Sequence, residues 1–597
     1  MPTYKAPLKD YLFLLNDVFH IDRYADLPGF SDLSPDLVEA TLEEAARLCE
    51  QVIAPLNRVG DIEGCTRHED GSITTPTGFK EAFRQVASGG WMAMSAPAEY
   101  GGQGLPNVMS DVFAEFLGSA NLAFSMYPLL TKGAVAALCD HASPELKDAY
   151  LPKLVSGEWT GVMSLTEAHC GTDLGLLRTK AVKQADGSYT ITGNKIFISA
   201  GDHDMADNIV HLVLARLEGA PAGVHGISLF VVPKLRLDAE GTMHPNQVSC
   251  GSIEHKMGIH GNCTCVMNYD DSTGWLIGDE NHGLNAMFTM MNHSRLAVGI
   301  NGVAMAEVSY QNAVLYAQDR LQSRAPNGAK FPDKPADPII VHPDVRRMLM
   351  TGRAFTEAAH ALVVWSGMRH DVAIRGTDEK ARQEAEDHMG LLTPIIKGFG
   401  TDMGFEVAVM AQQIFGGHGY VAENGMEQFV RDARISQIYE GANGVQALDL
   451  VGRKIGLNGG RAIINFFTEI SSYLQVHTAD EAMADYVKPT QDALERLQQA
   501  TAWLSKAGAA NREDLAGASY PYMHLFGLVS LGYMWCRMTE AANQKLSTCA
   551  DGEKQMLNSK LVTGRFFMDH MLPATVTHLA RVTAGSASMM ALPAEAF

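Results

Sequence analysis

The sequence lacks the motifs that mark the commonest nucleotide and zinc sites. It has no G-x-x-x-x-G-K-[ST] phosphate loop, and neither Gly417-His418-Gly419 nor Gly102-Gln103-Gly104 extends to G-x-G-x-x-G. These absences disfavour a P-loop or a Rossmann-type nucleotide site. The sequence has neither an H-E-x-x-H motif nor the clustered His/Cys spacing of a zinc site, so we predict no metal.

Positive charge is also scarce. The chain has 47 Lys+Arg against 68 Asp+Glu, which gives a formal net charge of -21, and no Lys/Arg-rich run occurs. Nucleic acid is therefore not expected as a partner. A polyanionic ligand would need a local cationic pocket within a negative field.

Cysteine usage and hydropathy bear on the compartment. The nine cysteines are dispersed, odd in number and form no C-x-x-C pair, a pattern typical of reduced thiols in a cytosolic protein. Residues 1–16 lack the apolar core and cleavage site of a secretory signal. No uninterrupted apolar stretch approaches 18 residues, so we predict no transmembrane helix and a cytoplasmic location.

What is present is ordinary globular composition, with 46% apolar and 19% charged residues. The length of 597 residues corresponds to roughly three or four domains. Ser34-Pro35-Asp36 is a helix start signal, because it combines an N-cap hydroxyl, a proline at the first helical position and an acid near the positive helix end.

The pattern changes along the chain. The turn signal Asp186-Gly187 and the β-branched runs 208–217 and 226–235 predict strands. Helical periodicity returns near Gly283 and is interrupted by a Pro/Gly-rich loop at 322–343. We predict an α+β fold, mostly α, with four domains: helical 1–160, β 161–275, a helical bundle 276–455 and, after a glycine-rich linker at 456–460, an extra helical unit 461–597.

Three segments stand out together. They are MSLTEAHCGTD at 163–173, QIFGGHGY at 413–420, and RDARI at 431–435 leading into YEGANG at 439–444. Taken singly, each has a structural explanation as turn residues, a helix contact or a solvated loop acid.

As a set, these segments resemble the signatures of the acyl-CoA dehydrogenase flavoprotein family: T-E-P-x-A-G-S-D, Q-x-x-G-G-x-G-[FY] and R-D-x-[RK]-I…Y-E-G-T. The segment 256–261 is similar to its K-x-G-x-R-x-S, and 320–322 falls at its Arg-x-Gln/Thr. The resemblance covers roughly residues 35–455 in the family's order. The segment after 460 and PAEYGG at 97–102 resemble a longer bacterial subgroup, which includes fatty acyl-CoA and 3-methylmercaptopropionyl-CoA dehydrogenases.

The sequence departs from the family pattern at several positions. Ala168-His169 replaces Pro-x, Thr172 replaces Ser, and Ala442 stands where Thr is usual, which removes one hydroxyl contact to flavin. Ser323-Arg324 follows Arg320 where the family has Phe-Gly.

The resemblance implies a fold of two helical domains around a β-domain, and a reaction that removes the α-proton of an acyl-CoA thioester while the β-hydride passes to flavin. Glu440 is then the base. Its own N–H and a flavin ribityl hydroxyl bind the thioester oxygen, and Gly441 allows the tight backbone path beside the substrate. Burial is expected to raise the carboxylate's basicity, because an ordinary carboxylate of pKa ~4 is too weak a base for this proton.

The resemblance further implies FAD as the cofactor. Nine residues match the family's cofactor positions: Met163, Leu165, Thr166, Phe197, Ser199, Arg320, Gln322, Gln413 and Gly417. The first three line the isoalloxazine, the next two cover the ring, Arg320 and Gln322 hold the pyrophosphate, and the last two reach the adenosine half from a second subunit. Thr172 and Arg295 are implied near the acyl-CoA.

The implied function is FAD-dependent dehydrogenation of a fatty acyl-CoA to a trans-2-enoyl-CoA in β-oxidation, by a homodimer that passes electrons to electron-transfer flavoprotein. Three alternatives stay open: 3-(methylthio)propionyl-CoA dehydrogenation, an acyl-CoA oxidase and a non-catalytic acyl-CoA-binding relative. The unit after 460 is expected to pack over the dimer or to replace a second pair of subunits. The sequence shows no strongly basic amphipathic helix face, and membrane docking is therefore the weaker expectation for this unit.

Overall fold

The computed structural model describes residues 2–31, 33–238 and 240–597. The chain is 62% helical, and its strands lie between Thr66 and Ile277, so the predicted α+β, mostly α class is confirmed. It divides into two compact units: unit 1 is Met1–Ala46, Asp111–Ser119 and Val298–Phe597, and unit 2 is Arg47–Ser110 and Ala120–Ala297. The four predicted domain ranges stay predictions.

The strands all belong to unit 2. In chain order they are β1 Thr66–Arg67, β2 Ile73–Thr74, β3 Trp159–Ser164, β4 Lys180–Lys183, β5 Tyr189–Ser199, β6 Asn208–Leu217, β7 Ile227–Pro233, β8 Leu235–Leu237, β9 Met243–Pro245, β10 Val248–Ile253 and β11 Thr264–Ile277.

Seven of these strands form one sheet. Its order is β10-β11-β5-β4-β6-β3, and β7 pairs with both β11 and β6. The strands β11, β5, β4, β6 and β7 therefore close a ring. β6 and β7 are buried over almost their whole length, as expected of strands with near-continuous apolar runs.

The predicted strand signals are confirmed. Asp186-Gly187 lies in the antiparallel β4–β5 turn, where Lys183 pairs with Tyr189 and Gly187 has φ 86°. The run 208–217 is β6, and 226–235 contains β7.

Helices make up the rest of the architecture. They are α1 Leu8–Phe13, α2 Pro35–Leu48, α3 Leu56–Glu63, α4 Phe79–Ser88, α5 Asn107–Ala120, α6 Leu122–His141, α7 Pro144–Ser156, α8 Gly283–Asp319, α9 Pro343–Arg375, α10 Glu379–Ile414, α11 Met426–Arg434, α12 Asn443–Asp449, α13 Arg461–His477, α14 Ala484–Ala510, α15 Arg512–Leu546, α16 Asp551–Phe566 and α17 Ala574–Thr583.

The predicted start of α2 is confirmed. The helix begins at Pro35, and Ser34 Oγ accepts a hydrogen bond from Leu37 N at 3.2 Å. This bond satisfies one of the backbone donors that a first helical turn leaves unpaired.

The region predicted as mainly helical holds α1 to α7 and, besides them, the β1–β2 hairpin, whose turn includes Gly71 at φ 87°. The segment predicted as a linker, 456–460, makes a kink before α13, where Asn458 and Gly459 have φ 52° and 70°. Asn458 Nδ2 donates to Asp387 Oδ1 at 2.7 Å, which anchors the segment to α10.

One helix has the length and hydropathy of a membrane span. Among the described residues, α6 alone meets this test, and 78% of its most apolar window is buried in the protein. The core helix of a soluble protein has the same properties, so the finding is weak support for a membrane span. Polar residues such as Thr131 and Lys132 divide α6, so it contains no uninterrupted apolar run of 18 residues.

In unit 1 the backbones of α8 and α10 meet at glycines. A Cβ on Gly404 would lie 2.2 Å from the carbonyl oxygen of Gly302, and a Cβ on Gly302 would lie 2.8 Å from Thr401 Cα. Only residues without side chains allow this approach. The crossing fixes α10, which carries both Lys397 and Gln413.

We expect Gly404→Ala to lower stability by about 1–3 kcal/mol, because the added methyl meets backbone that cannot move aside. Gly400→Ala on the same helix is the matched control, since a Cβ there would meet nothing closer than 3.8 Å. Because alanine has a higher helix propensity than glycine, this variant should be as stable as wild type or more stable by up to about 1 kcal/mol. Thermal unfolding of both variants tests this. Equal midpoints would show that the crossing tolerates a side chain.

Candidate active site

The residue predicted as the base lies in a strained stretch of unit 1. Glu440 is half-buried between α11 and α12. Its φ is 57° and that of Gly441 is 83°. A left-handed conformation costs a non-glycine residue about 1–3 kcal/mol and persists only where the surroundings impose it. Such outliers concentrate at functional sites.

A buried lysine holds this stretch. Lys397 Nζ donates to the Gly441 carbonyl oxygen at 2.8 Å and to Asn443 Oδ1 at 2.8 Å. Lys397 is fully buried, and a buried ammonium is stable only when acceptors surround it. Gln446 Nε2 donates at 3.2 Å to the carbonyl oxygens of both Glu440 and Gly441. Gln446 therefore holds both backbone carbonyls of the strained pair, and Lys397 also holds that of Gly441.

Sequence reasoning missed Lys397, Asn443 and Gln446. A signal was available: Lys397 is a single cation within the apolar run PIIKGFG of α10. Such a residue needs a buried partner.

In unit 2 the structure brings together the residues predicted to bind the isoalloxazine. Met163 lies near the end of β3, and Leu165 and Thr166 follow it. Ile196 N donates to the Thr166 carbonyl oxygen at 2.9 Å, which places the end of β3 beside the part of β5 that carries Phe197 and Ser199. Phe197 is 60% exposed and has φ 58°.

An ion pair fixes this junction. Lys195, fully buried, donates from Nζ to Glu167 Oε1 and to the Leu165 carbonyl oxygen, each at 2.9 Å. Burial alone would raise the pKa of Glu167, but attraction from Lys195 and a hydrogen bond from Thr179 lower it to about 2. Glu167 is therefore an anion at neutral pH.

Glu167, His169 and Cys170 place potential ligand atoms within 4.8 Å of one another. The carboxylate is already committed, because Arg178 N donates to Glu167 Oε2 at 2.7 Å, and Thr179 Oγ1 donates to Glu167 Oε1 at 2.6 Å. A metal would have to displace these bonds and Lys195. The arrangement is that of a hydrogen-bonded turn.

The predicted pyrophosphate and adenosine contacts lie close together in unit 1. Tyr316, one turn before Arg320, stacks on Phe415 with ring centroids 4.0 Å apart. Its hydroxyl hydrogen-bonds to His418 Nδ1 at 2.9 Å. The end of α8 therefore lies beside the turn that carries Gln413 and Gly417. The sequence did not single out Tyr316 or His418 for this role.

All four predicted residues at this place are exposed: Arg320, Gln322, Gln413 and Gly417. Nothing lies within 4 Å of the position that a Cβ on Gly417 would occupy. The two residues predicted to lie near the acyl-CoA differ in burial: Thr172 is exposed, whereas Arg295, on α8, is 7% exposed. The roles of all these residues stay predictions.

Family models match the chain in four consecutive pieces. They are the acyl-CoA dehydrogenase N-terminal domain at residues 36–158, its middle domain at 162–272, its C-terminal domain at 281–455, and an acetyl-CoA dehydrogenase C-terminal-like domain at 466–593.

Curated relatives extend over nearly the whole chain. The 3-methylmercaptopropionyl-CoA dehydrogenase of Ruegeria pomeroyi is 42% identical, with 97% of this chain and 98% of that protein covered. The broad-specificity linear acyl-CoA dehydrogenase FadE5 of Mycobacterium tuberculosis is 31% identical, with 96% of each covered. A solved acyl-CoA dehydrogenase complexed with FAD from Bacillus anthracis shares the fold, with a TM-score of 0.74 at 21% identity over 96% of this chain and 91% of that one.

We expect Lys195→Met to lower the free energy of unfolding by about 3–5 kcal/mol at pH 7, because it leaves the Glu167 carboxylate buried without its cation. The folded pKa of Glu167 lies below the unfolded value of ~4.3, so its stabilising contribution is complete above that value and is lost as the pH falls toward 2. The difference in the free energy of unfolding between wild type and Lys195→Met should therefore become smaller below about pH 4.

Lys183→Met is the control, because Lys183 forms its 3.0 Å ion pair with Glu280 at the surface and such pairs contribute at most about 1 kcal/mol. Denaturant unfolding at several pH values measures both variants. If the two lysine variants lose equal stability, the buried pair does not have the assigned role.

Proposed function

Because the chain belongs to the acyl-CoA dehydrogenase family, we propose that it is an FAD-dependent enzyme that converts an acyl-CoA thioester to its α,β-unsaturated product. The observation that carries the proposal is Glu440, which stands at the family's base position on a backbone that the buried Lys397 holds in the left-handed region. A non-catalytic relative would have no need to maintain this strain.

The residues present fit a flavin. Phe197 offers an exposed aromatic face on a strained backbone beside Thr166, which suits a planar ring. Arg320 is exposed, and its guanidinium makes no hydrogen bond or ion pair within the described part of the chain, so it is available to chelate a pyrophosphate. The open space at Gly417 allows close approach of a ligand to the backbone.

The chain's own residues have two tasks. The α-proton beside a thioester is far less acidic than a carboxylic acid, so Glu440 must act on a thioester whose developing enolate is stabilised. The Glu440 N–H, on a backbone fixed by Lys397 and Gln446, supplies a preorganised donor to the thioester oxygen. Bound FAD supplies the acceptor for the β-hydride. Met163, Leu165 and Thr166 would orient the ring, and Arg320 and Gln322 would hold a pyrophosphate.

For the substrate we propose an acyl-CoA with a short acyl group, and our first candidate is 3-(methylthio)propionyl-CoA. The 42% identity to a 3-methylmercaptopropionyl-CoA dehydrogenase over nearly the full length supports this choice. The second candidate is a linear fatty acyl-CoA, as in β-oxidation, because the broad-specificity relative also matches 96% of the chain.

The proposal extends to the compartment, the oligomeric state and the electron acceptor. All nine cysteines are free thiols, which supports a reducing, cytoplasmic compartment. We infer a homodimer, with Gln413 and Gly417 serving the cofactor of the second subunit, and transfer of electrons to electron-transfer flavoprotein.

Glu440→Gln should keep bound flavin and lose nearly all turnover, because a general base contributes about 10²–10⁴ in rate and the amide cannot accept the proton. Glu423→Gln makes the same chemical change at an exposed residue and should retain activity. Flavin content and dye-coupled turnover are measured together. A Glu440→Gln enzyme with a tenth or more of the wild-type rate would remove Glu440 from this role.

Turnover should be highest with 3-(methylthio)propionyl-CoA, lower with the linear acyl-CoA of equal length, and lower still along a series of longer linear chains. A higher kcat/KM for the linear acyl-CoA of equal length would favour the second candidate. Comparing kcat/KM across that series identifies the preferred substrate. A preference for long chains would replace our first candidate with the second. Peroxide formation at the full turnover rate without an added acceptor would instead show an oxidase.

A further inference from the structure

A single carboxylate connects the Glu440 segment to the extra C-terminal unit. Asp402 lies on α10, and its Oδ1 accepts hydrogen bonds from Gln437 Nε2 at 2.7 Å and from Asn443 Nδ2 at 2.8 Å. These two residues stand three positions before and three positions after Glu440. Asp402 therefore ties both ends of the strained stretch to α10.

The second oxygen of the same carboxylate faces α15, the long helix of the segment after 460. Asp402 Oδ2 accepts hydrogen bonds from His524 Nε2 at 2.9 Å and from the Tyr520 hydroxyl. Four donors thus converge on one side chain, two from the Glu440 segment and two from α15. An ionised carboxylate can accept this number of hydrogen bonds.

The Asp402 side chain is only 10% exposed. Because little water reaches the carboxylate, these four donors set its orientation. Burial alone would raise the pKa of Asp402, but the bonds from His524, Tyr520 and Gln437 lower it below its usual value. His524 is itself held, because its ring packs edge-on against Phe399 at 5.4 Å and stacks on His578 of α17 at 5.5 Å. The Tyr520 ring in turn packs against that of His524, with centroids 4.9 Å apart, so the two donors on α15 support each other.

We infer that Tyr520 and His524 are positioning residues: through Asp402 they hold Gln437 and Asn443, and with them the backbone of Glu440, in the geometry that the proposed reaction needs. The inference rests on the proposed function, since it assigns Glu440 as the base. It gives the extra C-terminal unit a role in catalysis without contact with the substrate.

The first test is Tyr520→Phe, which removes one hydroxyl from a residue that is 43% exposed and so should fold normally. We expect kcat to fall about tenfold while KM for the acyl-CoA changes less than about twofold, because misplacement of a base costs rate more than binding. The matched control is Tyr522→Phe on the same helix, whose hydroxyl bonds to Thr501 Oγ1 at 2.8 Å and not to Asp402. It should keep wild-type kcat.

The second test uses His524. His524→Leu removes the donor and should lower kcat to a similar extent, whereas His524→Gln retains an amide donor near the Nε2 position and should recover most of the rate. Amide hydrogen exchange of the peptide covering 437–443 provides a readout independent of turnover. It should be faster in Tyr520→Phe and His524→Leu than in wild type and in Tyr522→Phe.

The outcomes separate the two proposals. If wild type does not dehydrogenate acyl-CoA, the proposed function fails. If wild type is active and Tyr520→Phe matches it in kcat and in exchange over 437–443, only the positioning role is overturned. The role is equally overturned if Tyr522→Phe loses as much kcat as Tyr520→Phe, or if His524→Gln is no better than His524→Leu.

Discussion

The hydrogen bond from the Lys397 ammonium to the Gly441 carbonyl is the interaction on which the proposed site depends. It is made by a fully buried cation next to two consecutive residues with left-handed backbone. Its loss would take one acceptor from the buried ammonium and leave the carbonyls of the strained pair held by Gln446 alone. The close crossing of α8 and α10 at glycines fixes the helix that carries Lys397. The site therefore depends on helix packing as much as on its own loop.

The same principle operates in the β-region. Lys195 is buried, donates to a backbone carbonyl and a carboxylate, and joins the end of β3 to β5. In each unit, then, a buried lysine secures backbone beside residues predicted to act on substrate or cofactor. Hydrogen bonds to charged groups are stronger than neutral ones, which suits them to holding strained segments such as those of Phe197 and Glu440.

The family and the fold class could be predicted from the sequence, because ordered motifs and hydrophobic periodicity are local properties. β6 and the start of α2 were likewise predicted, since β-branched runs and N-cap residues act over a few positions. Long-range contacts left no such signal: the convergence of Gln437, Asn443, Tyr520 and His524 on Asp402 joins residues far apart in the chain. The site roles predicted from motifs, including that of Glu440, stay predictions.

The central claim is that Glu440 removes the α-proton of a bound acyl-CoA as the flavin is reduced. Its most direct test is the rate at which flavin absorbance bleaches when wild-type enzyme meets, without oxygen, 3-(methylthio)propionyl-CoA that carries either hydrogen or deuterium at the α-carbon. The account predicts a yellow enzyme that bleaches with both substrates, several-fold more slowly with deuterium. An enzyme without flavin absorbance, no bleaching with any acyl-CoA offered, or equal rates with the two isotopes would contradict it.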